Sequence, residues 1–219
     1  MSPVYEYLAP KYRNREEAGK VLSSRLLDYQ DENLIVIAIP NGGVPVAAVI
    51  AKELGVELYL MIIRKLQIPD NPEAGFGAMT SDGFLLLNYR LINHLGLTKA
   101  DILKQKQKAY KSIRSRQKLF GKHAELPSIY NRTAVLVDDG LASGFTMEAA
   151  VKSAESNGAD RIIIAVPTSS MSAYRRLESK VDKIICPDVS RLPVFAVANA
   201  YQNWYDLHEK EVIKLLESL

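Results

Sequence analysis

Short, nearly unbroken apolar runs alternate along this chain with stretches of helical periodicity. Residues 34–39 (LIVIAI) are β-branched or apolar throughout, as in a strand buried on both faces, and the run stops at Pro40-Asn41-Gly42-Gly43. Residues 44–54 read as a helix, with Pro45 tolerated in its first turn and Gly55 as its C-cap; residues 56–63 read as a second buried strand ending in Arg64-Lys65. Strand, glycine turn, helix and strand in that order predict a parallel crossover unit. Ahead of it, after a polar, tyrosine-bearing start at residues 2–15, Ala18, Val21, Leu22 and Leu26 recur at helical spacing behind Asn14, with Glu17 as its capping partner. The unit repeats as a strand at 133–137, a loop at 138–144, a helix at 145–157 capped by Gly158, and a strand at 161–166. A helix near 172–179 and a short strand at 183–186 follow. Between the two units, residues 66–83 carry two prolines and three glycines and predict an irregular excursion, with a hairpin pairing 76–79 to 84–87. Thr98 with Asp101 opens a long polar helix reaching about Phe120. The alternation as a whole predicts an α/β fold: a doubly wound, mainly parallel sheet flanked by helices.

Composition narrows the class. With 219 residues, 47% of them hydrophobic, the chain can bury one sizeable core. The expectation is a single domain over 1–219, with an irregular and helical insertion or flexible arm at 66–130 and an aromatic segment and helix at 187–219. Twenty-eight basic against 25 acidic residues leave +3, too mild to demand a nucleic-acid or membrane partner. The lone Cys186 cannot form an intramolecular disulfide, the first ten residues lack a leader pattern, and no apolar run is long enough to span a bilayer; a soluble, cytoplasmic protein is expected. The helix after Thr98 sets Lys99, Lys104, Lys106, Lys108, Lys111, Arg114, Arg116, Lys118 and Lys122 against Asp101. Such a run serves as a solvated face, as an arm closing over an anion, or as a contact for nucleic acid or a subunit.

In open parallel sheets ligands sit beyond the carboxyl ends of the strands, which directs attention to residues 134–146, AVLVDDGLASGFT. Gly140, Leu141, Ala142, Ser143, Gly144, Phe145 and Thr146 supply small residues and hydroxyls before a helix, so backbone N–H groups and the positive helix end can surround a phosphate. The lysine of a Walker loop is missing, as is the dinucleotide glycine spacing. Asp138 and Asp139 would repel a neighbouring phosphate unless something satisfies them; a sugar diol or a divalent cation carried by the substrate would do so. The plain alternative is a pair of acids capping a turn. His94, His123 and His208 fall on separate segments without metal-ligand spacing.

Four apolar strand residues, two acids and a Gly/Ala/Ser/Thr loop ending in Thr146 resemble the signature of the type I phosphoribosyltransferases. The chain looks closest to their uncharacterised predicted-phosphoribosyltransferase branch. The likeness extends over roughly residues 12–205, because the stretch from Ile39 to Val44 looks like the family's pyrophosphate loop and Ile63-Arg64-Lys65 like the basic end of its next strand. The resemblance implies that Asp138 and Asp139 engage the ribose hydroxyls of phosphoribosyl pyrophosphate and that Gly140 to Thr146 hold its 5-phosphate. It further implies that Pro40, Asn41, Gly42, Gly43, Arg64 and Lys65 receive pyrophosphate, with a non-proline cis peptide at or beside Pro40-Asn41. Mg²⁺ would be held indirectly by Asp138 and Asp139, through substrate and water. Related sequences tend to carry arginine where this chain has Asn41, and six-oxopurine enzymes carry aspartate at the position of Ala142.

The implied reaction transfers ribose 5-phosphate to a nitrogen of a nucleobase or amine in a homodimeric, Mg²⁺-dependent enzyme, with Asp138, Asp139, Arg64 and Lys65 as the catalytic set. Phe195, Tyr201, Trp204 and Tyr205 form an aromatic cluster, in which Trp204 or Tyr201 could stack on the acceptor base or instead pack a C-terminal helix at 206–216. A module that senses phosphoribosyl pyrophosphate or a nucleotide without turnover is the alternative reading. A phosphorylase or hydrolase of a ribose 5-phosphate derivative is a third.

Overall fold

A computed structural model of the chain describes residues 9–69 and 71–219. The first part of the polar N-terminal stretch, residues 1–8, lies outside them.

Five strands, β1 (Leu34–Ala38), β2 (Leu58–Leu60), β6 (Thr133–Val137), β7 (Arg161–Ala165) and β9 (Lys183–Ile185), form one parallel sheet in the order β2-β1-β6-β7-β9. Every residue of β1 and β6 is buried, which explains their unbroken apolar runs. Successive side chains point to opposite faces. Leu34, Val36, Ala38, Val135 and Val137 join one core cluster with residues of helices α1 (Arg15–Leu26), α2 (Gly43–Leu54), α4 (Lys99–Phe120) and α7 (Glu209–Glu217). Ile35, Ile37, Ala134 and Leu136 join a second with α5 (Phe145–Ser156) and α6 (Met171–Leu177). Helices therefore cover both faces, as the alternating pattern predicts. The order of the sheet reverses between β1 and β6, and ligand crevices of such folds lie at that switch point.

The local signals hold at several ends. Asn14 caps α1 by accepting from the Glu17 N–H at 3.0 Å. Thr98 and Asp101 form the reciprocal box that opens α4. Gly55 ends α2 in the left-handed conformation at φ 66°.

Three expectations need correction. The single strand at 56–63 is two elements: β2 stops at Leu60, Met61 and Ile62 cross over fully buried, and β3 (Ile63–Ile68) starts a separate antiparallel sheet. Residues 60–63 are all buried, so they show no period to mark the crossover. Arg64 and Lys65 accordingly lie within β3 rather than after a strand of the main sheet. The excursion at 66–83 is largely strand: β4 (Asn71–Thr80) pairs with β3 through register shifts at Leu66/Gln67 and Gln67/Ile68. It pairs with β5 (Leu85–Leu87) at Gly77↔Leu87, Ala78↔Leu86 and Met79↔Leu85, the hairpin foreseen from the sequence. Gly75 sits between the two register shifts, Gly77 pairs in register with Leu66 and Leu87, and Gly83 turns the hairpin at φ 95°. The C-terminal helix begins at Glu209 rather than residue 206, because the Glu211 carboxylate accepts the His208 N–H at 3.0 Å and starts the first turn there. A short helix α3 (Tyr89–His94) and the small parallel pair β8 (Thr168–Ser170) and β10 (Asp188–Ser190) gave no clear pattern in the sequence.

Candidate functional site

β1 and β6 are neighbours, so the loops leaving their carboxyl ends emerge side by side, and the Ile39 N–H still donates to Val137 O at 2.9 Å. Beyond that bond the loops meet directly. A Cβ on Gly42 would lie 2.0 Å from Asp139 Oδ2, and one on Gly43 would lie 2.6 Å from Val137 O and 2.9 Å from Asp138 Cα. Only glycine permits this approach. The Pro40–Asn41 peptide at the head of the loop is cis, as the resemblance implies.

The two acids differ in their surroundings. Asp138 Oδ1 accepts the Asp139 N–H at 2.9 Å, and among the described residues no cation bonds its carboxylate. Burial and the neighbouring Asp139 charge push its pKa well above the usual carboxylate value. Asp139 Oδ2 accepts from Arg15 Nε at 2.9 Å, and Nη2 stands 2.8 Å from the same oxygen in the ion pair. Burial raises this carboxyl as well, against the opposing pull of Arg15. The Tyr201 hydroxyl donates to the Asp139 carbonyl at 2.7 Å, and burial next to Asp139 raises that phenol.

The phosphate-loop candidates form a docked ledge. Leu141 is buried and bridges to Ser169, with its N–H on Thr168 O at 3.0 Å and its carbonyl accepting the Ser170 N–H at 2.9 Å. The Ser170 hydroxyl donates to Ala142 O at 2.6 Å. With its backbone pinned on that side, the loop exposes Ala142 and Ser143, passes through Gly144 at φ 72°, and enters α5 at Phe145 and Thr146. Gly144 itself offers no capping side chain; the Phe145 N–H donates to Ser143 Oγ at 3.4 Å, and the helix opens with its positive end toward the loop.

The basic candidates separate. Arg64 reaches toward α4, its Nε donating to Ser112 Oγ at 2.8 Å. Burial lowers its guanidinium from the ordinary value, and the charge of Arg116 adds to the effect. Lys65, next along the strand, points to the other face, where its side chain lies across Gly75. Asn41 turns its amide outward: Nδ2 donates to Leu207 O at 2.8 Å and Oδ1 accepts from Arg116 Nη2 at 2.6 Å. Arg116 in turn pairs with Glu209 through Nε at 2.7 Å. A buried arginine of the basic helix thus stands beside Asn41. The sequence placed Arg116 in a charged run without distinguishing it.

Trp204 and Tyr201, candidates for stacking on a base, stack on protein groups. The Trp204 ring lies 4.0 Å from the Arg15 guanidinium, and Tyr201 packs on Tyr12 and Trp204 at centroid distances of 5.8 and 5.4 Å. Arg15 itself carried no sequence signal beyond its place in the first turn of α1. Beside the ledge opens a cavity of about 590 Å³ whose lining includes Thr168, Asp188, Leu192, Phe195 and Asn199. Thr168 and Val197 close around Gly140, which joins this cavity to the start of the loop. The sequence did not mark it, although residues 167–170 follow a strand end and satisfy the rule that singled out Asp138. His94, His123 and His208 are dispersed over α3, the turn after α4 and the start of α7.

Comparisons with known proteins establish the family. The phosphoribosyl transferase domain matches residues 12–203, most of the chain. A Mycobacterium tuberculosis protein with a provisional phosphoribosyl transferase name is 33% identical over 208 residues, covering 94% of this chain and 46% of its own length. The chain therefore spans about half the length of that relative. The crystal structure of TT1426 from Thermus thermophilus superposes with a TM-score of 0.80 at 29% identity, over 95% of this chain and 98% of that one. The chain belongs to the phosphoribosyl transferase family, with the doubly wound α/β architecture described above.

Proposed function

We propose that this chain transfers the ribose 5-phosphate group of phosphoribosyl pyrophosphate to a nitrogen of a base or amine, releasing pyrophosphate. The observation that carries the reading is the contact of two loops at the switch point of the sheet, with Gly42 seated against Asp139 and the docked ledge from Leu141 to Thr146 beside them. A sugar phosphate laid across this arrangement offers its hydroxyls to Asp138 and Asp139. Its phosphate faces the N–H groups opening α5, and a diphosphate on its anomeric carbon falls toward residues 40–43.

In the reaction the acceptor nitrogen's lone pair forms the bond to the anomeric carbon. The carbon–oxygen bond breaks, its electron pair leaves with pyrophosphate, and the proton on the acceptor nitrogen passes to solvent. Positive charge builds on the ribose and negative charge on the leaving group, so the work of the protein is electrostatic and positional. The backbone at Gly42 and Gly43 approaches the leaving group, and Arg64 and Arg116 supply positive charge on that flank. Arg116 beside Asn41 compensates for the arginine that related sequences tend to carry there. Among the described residues no three acid, cysteine or histidine side chains converge as a metal cage, and Arg15 already holds Asp139. This donor set suits a Mg²⁺ ion carried on the substrate, which supplies neutralisation of the diphosphate; Asp138 and Asp139 would hold it through substrate hydroxyls and water.

We place the acceptor in the cavity bounded by Thr168 and Phe195, where a flat ring finds apolar walls and the Asp188 carboxylate, which already accepts the Thr168 hydroxyl at 2.8 Å. Trp204 and Tyr201 belong to the support of the sugar site. The test is pyrophosphate release from phosphoribosyl pyrophosphate with a panel of bases and amines, in parallel with calorimetric binding. Release with at least one acceptor is expected; binding without release would favour the sensing module, and the absence of both would refute the proposal.

A further inference from the structure

Arg15 lies outside every recognisable motif, yet it is one of the most elaborately held side chains in the molecule. It is 7% exposed, Nε donates to Asp139 Oδ2 at 2.9 Å, Nη1 donates to Tyr205 O at 3.0 Å, and Nη2 completes the ion pair at 2.8 Å from the same Oδ2. Trp204 lies on its face at 4.0 Å, with the Tyr201 and Tyr205 rings at 5.8 and 5.9 Å. The Tyr201 hydroxyl holds the carbonyl of the same aspartate at 2.7 Å. An arginine makes this many contacts around one carboxylate oxygen only where the direction of that carboxylate matters, because a planar fork fixes orientation as well as charge.

The other constraints on Asp139 show what is being directed. Gly42 closes one side of its carboxylate. The neighbouring Asp138 carboxylate, whose Oδ1 accepts the Asp139 N–H at 2.9 Å, sets a like charge beside it. With Oδ2 taken by Arg15, Oδ1 is the oxygen outside the clamp.

We propose that Arg15 is a positioning residue for the sugar end of the site, clamping Asp139 so that its Oδ1 and the Asp138 carboxylate together receive the two hydroxyls of a ribose 5-phosphate. The inference rests on the functional reading above and adds a residue to it. It also explains the aromatic residues near the C-terminus. Trp204, Tyr201 and the Tyr205 carbonyl form the socket that keeps Arg15 desolvated and in place. Lysine could keep the charge but could not donate to Asp139 and Tyr205 from one rigid plane.

The test is calorimetric titration of the full chain with ribose 5-phosphate, phosphoribosyl pyrophosphate and inorganic pyrophosphate, comparing wild type with R15Q, R15K, D139N and R15Q/D139N. R15Q should weaken both sugar ligands by about 10- to 100-fold, the range of a lost charge-assisted hydrogen-bond pair, while inorganic pyrophosphate changes by less than about twofold. R15K should recover part of the loss. The double variant should bind no more weakly than D139N alone, since both changes remove one device. Equal weakening of all three ligands, unchanged sugar binding in R15Q, or additive losses would overturn the assignment. Should R15Q fail to fold, Trp204→Leu loosens the socket while keeping the ion pair. A selective loss for the sugar ligands then supports the proposal, and an unselective or absent effect refutes it. Failure of the wild-type chain to bind either sugar ligand would instead refute the functional reading itself.

Discussion

Gly42 is the residue on which the two halves of the site turn. Its α-carbon faces the Asp139 carboxylate so closely that a methyl group would overlap the carboxylate oxygen at 2.0 Å. Gly42→Ala should therefore push Asp139 off Arg15 and lower turnover at least about 100-fold, a loss of about 3 kcal/mol in transition-state stabilisation. Pyrophosphate release under saturating substrate, with circular dichroism to confirm the fold, reads this directly. Asn41 has a different job, since both ends of its amide bind protein. Asn41→Ala would strip an acceptor from Arg116 and a donor from Leu207 O, and should cost about 1–3 kcal/mol in urea unfolding. Neither role could be assigned before folding, because the partners Leu207 and Arg116 lie far along the chain. Cys186 is held by its surroundings as well: burial pushes its thiol up to about 12, and Sγ donates to Asp188 O at 3.3 Å.

Among the elements, the β3-β4-β5 sheet needs an anchor, since it stands apart from the parallel sheet. Asp82, in the turn between β4 and β5, provides one by accepting from Ser153 Oγ at 2.8 Å and Asn157 Nδ2 at 2.6 Å at the end of α5, and from the Thr80 hydroxyl. Partial burial raises this carboxyl, but the hydrogen bonds outweigh burial and leave its pKa below the ordinary value. A depressed carboxyl stabilises the fold fully above its unfolded value and loses that contribution as pH falls through the lower folded value. Asp82→Asn should thus cost about 1 kcal/mol at neutral pH, discounted for the exposure of the turn, with the difference from wild type shrinking in acid. Urea titrations at neutral pH and in acid would show the convergence. The sequence foresaw the hairpin itself from the runs flanking its turn; the anchor to α5 depends on how two distant elements dock.

At the level of the molecule, the proposed sugar site and the proposed acceptor cavity meet at Gly140 and Thr168 but are built by different segments. Phe195→Ala should consequently raise KM for the acceptor about tenfold or more, the worth of an aromatic wall, and leave KM for phosphoribosyl pyrophosphate within about twofold. Steady-state kinetics varying each substrate would separate the two. Among the described residues no helix is long and apolar enough to cross a membrane.

What could be read from the chain alone was local or periodic. Strands β1, β6 and β7 declared themselves because burial on both faces demands continuous apolar residues. The loop from Gly140 to Thr146 and the acid pair could be singled out as candidates because small residues and carboxylates directly after such a strand suit an anion and a sugar, with a capped turn as the plain alternative. The cis peptide at Pro40–Asn41 and the basic residues of β3 came through likeness to a family. Arg15, Arg116 and the acceptor cavity depended on folding. An arginine in the first turn of a helix is ordinary until residues 201–205 fold back over it. A cavity walled by β8, β10 and residues 192–199 has no period, because it is defined by the space between segments rather than by any one of them.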